Sequence, residues 1–236
     1  MNLKLSFRVL SFILAILLAI SCESDEMEGI VQLKDHEYMP LHEGLYHIYA
    51  ITETEYVNGP AGESTSYQLR MEITDSLPSA KGYFTYVIQL STRSSADQAW
   101  VPSETWSALF NEREAIVQEG NISFVKLALP LAEDRTWDGN IYNAFGQENY
   151  TIGLYAQPLR VGNLNFTDAI EVIQRNETDP IVGNDVRNEI YVRGVGLVSR
   201  KVETIVYCSN NQSCIGQQII ESGVIKEQVL IEYGRL

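Results

Sequence analysis

Tyr67-Gln68-Leu69-Arg70-Met71-Glu72-Ile73-Thr74 is the stretch that decides the fold. Tyr67, Leu69, Met71 and Ile73 alternate with Gln68, Arg70, Glu72 and Thr74. A period of two puts one set on each face of a pleated strand, so one face meets a core and the other meets solvent. Working outward, Phe84, Tyr86, Ile88 and Leu90 repeat the spacing. Breakers separate such runs: Asn58-Gly59-Pro60-Ala61-Gly62, then Leu77 to Gly82. Glu119-Gly120-Asn121 predicts a tight hairpin between Glu114–Gln118 and Ile122–Leu129. Ser103 to Arg113 fits two periods: Trp106, Leu109 and Phe110 suit a helix, while the flanking residues favour the strand adopted here. Further strands are expected at Asn149–Leu159, Phe166–Arg175, Asn188–Val198, Lys201–Tyr207 and Ile215–Tyr233, the last broken at Gly223 into more than one element. No amphipathic helix of more than a few turns and no fixed-period repeat is evident. Roughly ten strands joined by short turns predict an all-β antiparallel meander that forms a barrel or half-barrel to manage its edges. A β-sandwich is the alternative.

The start of the chain has a different character. Met1 to Arg8 carries Lys4 and Arg8 and no acid, and Val9 to Ile20 is apolar except for Ser11. That apolar run is too short to span a bilayer comfortably, and it ends in Ala19-Ile20-Ser21-Cys22. Small residues before a lone Cys resemble the lipobox of bacterial lipoproteins. The resemblance implies a cleaved signal peptide, residues 1–21, and lipidation of Cys22, which anchors the chain to a membrane through its N-terminal lipid. Residues 22–36 are expected to be a flexible acidic tether and 37–236 one antiparallel β-domain. The run Glu23-Ser24-Asp25-Glu26-Met27-Glu28 resembles the signal that carries Bacteroidota lipoproteins to the outer face of the outer membrane. Lipid-anchored display at the cell surface is therefore expected, ahead of a periplasm-facing location.

Without residues 1–21, 15 basic and 31 acidic residues remain, a formal charge of −16. Such a chain repels nucleic acid, which is excluded as a partner. Besides Cys22 there are only Cys208 and Cys214, flanking the polar segment Ser209-Asn210-Asn211-Gln212-Ser213 between two strand-like runs. The spacing is not Cys-x-x-Cys and no His lies nearby, so a metal or redox pair is disfavoured. In an exported chain a structural disulfide that staples a hairpin loop is expected.

Three segments carry a family resemblance. They are Tyr38 to Tyr49, with Pro40-Leu41 and Gly44 before an aromatic strand; Leu127-Ala128-Leu129-Pro130-Leu131 followed by Arg135-Thr136-Trp137-Asp138-Gly139-Asn140; and Tyr191-Val192-Arg193-Gly194-Val195-Gly196-Leu197-Val198. In this order they resemble a Bacteroidota lipoprotein family that pairs a lipobox signal with an all-β exported domain. The resemblance implies fold and location, and it brings no catalytic residues. Gly194-x-Gly196 is no dinucleotide fingerprint, since a third Gly and a following helix are missing. The pair is read as lying within a strand, permitting a bulge or close approach of another segment.

The loop Glu133 to Glu148 is long for a β-domain, and long loops tend to bind. Trp137, Tyr142, Phe145 and Tyr150 with Asp138 and Asn140 form a candidate binding rim for a sugar face or an apolar ligand. The competing reading has Trp137 cap the core. His36, His42 and His47 are read as ordinary strand and turn residues, and no metal or cofactor is expected. Gly-x-Ser-x-Gly, His-Glu-x-x-His and P-loop motifs are absent. The expected role is non-enzymatic binding or assembly with a glycan, an apolar ligand or a protein partner. A periplasmic half-barrel carrier of a lipid is the second reading. A glycan-processing enzyme is the third, since spacing along a β-chain does not reveal paired carboxylates.

Overall fold

The computed structural model describes residues 35–79 and 82–236, so the signal segment, Cys22 and the acidic run lie outside the described residues. The strands are β1 (Leu45–Tyr56), β2 (Glu63–Pro78), β3 (Phe84–Arg93), β4 (Val101–Phe110), β5 (Glu114–Glu119), β6 (Ile122–Ala128), β7 (Thr136–Asp138), β8 (Asn149–Ile152), β9 (Gln157–Val161), β10 (Leu164–Asp179), β11 (Gly183–Val192), β12 (Gly196–Tyr207) and β13 (Ile220–Arg235). Every pairing is antiparallel. Around the sheet the order is β6-β5-β4-β3-β2-β1-β13-β12-β11-β10-β8-β7, with β9 paired to β10 alone. Sequence order is thus spatial order, as the alternating runs predict. The meander curls into a nearly closed barrel with one unsealed seam, between β6 and β7. There, outside the regular ladders, Val125 N donates to Gly139 O at 2.9 Å and the Trp137 indole to Val125 O at 2.8 Å.

Thirteen strands replace the expected ten because several boundaries fall elsewhere. Asn149–Leu159 is two strands, β8 and β9, parted by Gly153–Ala156, where Ala156 has φ +50°. Asn188–Val198 is not one strand. β11 stops at Val192, the chain turns through Arg193–Val195, and β12 runs unbroken from Gly196 to Tyr207. Gly194 at φ +74° and Gly196 at φ +102° supply that turn, conformations costly for other residues. Gly223 does not break the last strand, because β13 passes through it from Ile220 to Arg235. The glycine lets β12 come close: a Cβ there would lie 2.2 Å from Thr204 O. Ser103–Arg113 resolves as strand β4, and Gly120-Asn121 turns β5 into β6.

One end of the barrel is plugged by the chain's own entry. The compact unit begins at Asp35, so Asp35 and His36, assigned to the tether from sequence, pack into it. Asp35 is buried and accepts the amide of Leu131 at 2.8 Å. His36 stacks on Phe110 with ring centroids 4.0 Å apart. Tyr38, in the short 3-10 turn His36–Tyr38, is fully buried, with Arg193 over its ring at 4.6 Å and its hydroxyl on Asp168. The turns after β2, β4 and β11 share this end. Those after β1, β3, β5, β10 and β12 lie at the other, where Cys208 and Cys214 form the expected disulfide with Cα atoms 5.7 Å apart. On β11, Glu189 and Tyr191 line the interior, so Ile190 and Val192 face outward. The β9–β10 hairpin covers that outer face, and a Cβ on its turn residue Gly162 would meet Val229 at 3.3 Å.

Candidate functional site

The interior is not uniformly apolar. Glu119 ends β5, Lys126 sits at the β6 bulge, and Glu189 and Arg200 are cross-strand partners on β11 and β12. Curvature brings these two walls together. Lys126 Nζ lies 2.7 Å from Glu119 Oε1 and 2.8 Å from Glu189 Oε1. Arg200 Nη2 lies 3.0 Å from Glu119 Oε2, and its Nε lies 3.1 Å from Glu189 Oε1. Tyr191 donates to Glu189 Oε2 at 2.6 Å. Two cations and two carboxylates alternate, so the quartet is neutral. Burial alone would raise the Glu119 carboxyl; Lys126 and Arg200 outweigh it and hold it at about 2. Glu189 is likewise held below the usual carboxylate range. Burial works against the Arg200 charge, but the two carboxylates hold its guanidinium above the ordinary value. Such a group is costly to desolvate and costlier to break, so it specifies an arrangement more than it stabilises one.

Three spaces lie in series along the barrel. At the plugged end a hollow of about 550 Å³ is lined by Pro40, Leu41, Phe84 and Phe110. In the middle a mainly apolar cavity of about 90 Å³ lies among Leu45, Met71, Ile88, Ala108 and Val117, with the quartet at one side. Toward the other end a pocket of about 390 Å³ is lined by Tyr67, Trp106, Glu104, Arg200, Lys226 and Gln228. Trp106, Glu119, Arg200 and Gln228 line both the central cavity and this pocket. Gln228 is 5% exposed, and its Nε2 makes no hydrogen bond although the amide approaches the Tyr49 hydroxyl. A buried amide donor without a partner costs roughly 1–3 kcal/mol, so its position calls for an explanation.

The rim expected from sequence is divided. Trp137 packs edge-on against Tyr150, and Tyr150 is 2% exposed. Asp138 accepts the amides of Asn140 and Glu148, each at 3.0 Å. Asn140 is buried and accepts from Asn143 Nδ2, which also reaches Ser123 O on β6. These groups tie the β7–β8 loop across the seam. Tyr142 and Phe145 are exposed, Tyr142 donating to Glu114. His47 is half-buried with Nε2 2.6 Å from Val195 O, and desolvation lowers its pKa. Among the described residues no group of three or more His, Cys, Asp or Glu is placed to hold a metal. The interior residues went unnoticed in sequence. Lys126 lies between Val125 and Leu127 as an outward strand residue would, and nothing in the spacing of Glu119, Lys126, Glu189 and Arg200 announces their convergence.

No family model matches the chain, and no curated protein matches it. Two solved structures are similar to it. One is a Bacteroides fragilis protein of YmcC-like fold, provisionally named as exported: 11% identity over 84% of this chain and 98% of that one, TM-score 0.47. The other, from Parabacteroides distasonis and provisionally named a lipoprotein, is 9% identical over 84% and 98%, TM-score 0.43. No function is carried over from either.

Proposed function

We propose that this chain is a non-enzymatic, lipid-anchored binding protein of the outer membrane, displayed at the cell surface, that offers the unplugged end of its barrel to a ligand. One observation carries the reading. The chain enters the β-unit at the plugged end, through Asp35 on Leu131, while the 390 Å³ pocket opens toward the opposite end. The point where the chain enters the unit is thus remote from that mouth. The acidic run after Cys22 supports surface display. A carrier of long acyl chains is less well supported, because four charges and the plug interrupt the apolar bore. The test is labelled palmitate incorporation together with mild proteolysis of intact cells. Wild type should take up label and be shaved from the surface, and Cys22→Ala should do neither. Label without shaving would keep the anchor and overturn surface display. Equal label in Cys22→Ala would overturn the anchor.

A further inference from the structure

We infer that the pocket at the unplugged end binds a small, uncharged, polyhydroxylated ligand with one apolar face, that is, a saccharide. The inference deepens the binding reading above and rests on it. The lining sets the chemistry. Its charged groups are Glu104, Glu119, Arg200 and Lys226, two of each sign, and each is already engaged inside the protein. Glu119 and Arg200 belong to the quartet. Lys226 pairs with Glu53 at 2.9 Å, and Glu104 accepts the Trp106 indole at 2.8 Å. Glu104 alone lacks a cationic partner, and it is exposed to water at the rim, so the buried part of the lining holds no uncompensated charge to select an ion.

Uncharged polar groups remain. Gln228 Nε2 is buried at the floor with no well-formed hydrogen bond, the Tyr49 hydroxyl lying near it. The hydroxyls of Thr92 and Ser103 stand in the wall. Beside them Trp106 and Tyr67 offer aromatic surface, with Leu69, Leu90 and Val202. Polar groups and aromatic surface in one pocket suit a sugar ring, whose hydroxyls project from its edge and whose C–H groups form an apolar face. A volume of about 390 Å³ lies in the roughly 300–1,000 Å³ range of small-ligand sites. A fatty acyl chain would leave the Gln228 amide unpaired and lacks room beyond it, where the cavity is only about 90 Å³.

The experiment uses the full-length protein in a detergent without a sugar headgroup. It is titrated calorimetrically with a panel of neutral mono- and disaccharides (glucose, N-acetylglucosamine, maltose, lactose), with galacturonate as charged probe and laurate as apolar probe. At least one neutral sugar should bind saturably, and galacturonate and laurate should not. Gln228→Leu should weaken that sugar at least about tenfold, the loss of one buried hydrogen bond. Ser103→Trp, which fills the mouth from an exposed position, should abolish binding while the thermal midpoint stays unchanged. Binding of laurate alone, of galacturonate in preference to its neutral counterparts, or of none of the panel overturns the inference. So does sugar binding that survives Ser103→Trp. None of these outcomes depends on palmitate labelling or shaving, so failure here is distinguishable from failure of the anchored-binding reading.

Discussion

The meander closes on itself at two joints, and they are built in opposite ways. β1 and β13 are the ends of the strand sequence, yet they pair through a ladder from Leu45↔Arg235 to Tyr56↔Gly223. β6 and β7 are neighbours in sequence, parted by 129–135, yet they share no regular ladder. Among the described residues their contact includes one backbone hydrogen bond, one indole N–H, an Asn143 amide on Ser123 and the Phe124 ring near Phe145. The joint that is remote along the chain is made by backbone, while the local joint is made by side chains. A ladder is insensitive to substitution because most residues donate the same N–H. A side-chain joint can be released one residue at a time.

Breaking the quartet should have the largest effect, because it braces the seam-side strands β5 and β6 against β11 and β12. Lys126→Met leaves the buried Glu189 and half-buried Glu119 carboxylates facing one guanidinium and should cost about 3–5 kcal/mol. The urea midpoint should fall, with adjacent Glu189→Gln recovering part of the loss by restoring neutrality. Lowering pH should weaken the same brace more gradually. Glu119 is held at about 2 in the fold against an ordinary value of 4.5. Its stabilisation is therefore full above pH 4.5 and is lost as pH falls toward 2, on the order of 3 kcal/mol. Stability measured across that window should drop in wild type and more shallowly in a Glu119→Gln variant. The smallest effect sharpens the comparison most. Trp137→Phe keeps an aromatic ring and removes the indole N–H from Val125, costing about 1 kcal/mol. Hydrogen exchange should quicken at β6 and β7 and stay unchanged along β1 and β13. Equal loss of protection at both joints would mean that the seam does not open independently.

The difference between the joints also explains what could be read from sequence. Alternation in Tyr67–Thr74 and Phe84–Leu90 is a local property of a strand half in a core, so the all-β meander was legible. The pairing of Cys208 with Cys214 was legible because a short polar loop separates them. Strand limits around Gly194 and Gly223 were not. One glycine turns the chain while the other admits a neighbouring carbonyl, and the two uses look alike in sequence. The quartet was hidden for a deeper reason: Glu119 and Lys126 meet Glu189 and Arg200 only through barrel curvature. The loop around Trp137 attracted a binding reading because it is long and aromatic. Its Trp137, Asn140 and Tyr150 turn inward at the seam, whereas Trp106, read only for its helix or strand period, faces the pocket.

The place where the chain enters also decides how the unit bears mechanical force. With the protein anchored through Cys22 as proposed above, a pull on the anchor arrives at Asp35, whose carboxylate holds the 129–135 link by one hydrogen bond to Leu131. Past the plug, the load passes at Gly44 into β1, which is bonded on one side to β2 and on the other to β13 along almost its whole length. A force along the strand axis shears both ladders together instead of peeling them bond by bond. Drag on a cell surface would then be carried by the backbone joint, and the side-chain seam would stay out of the line of tension.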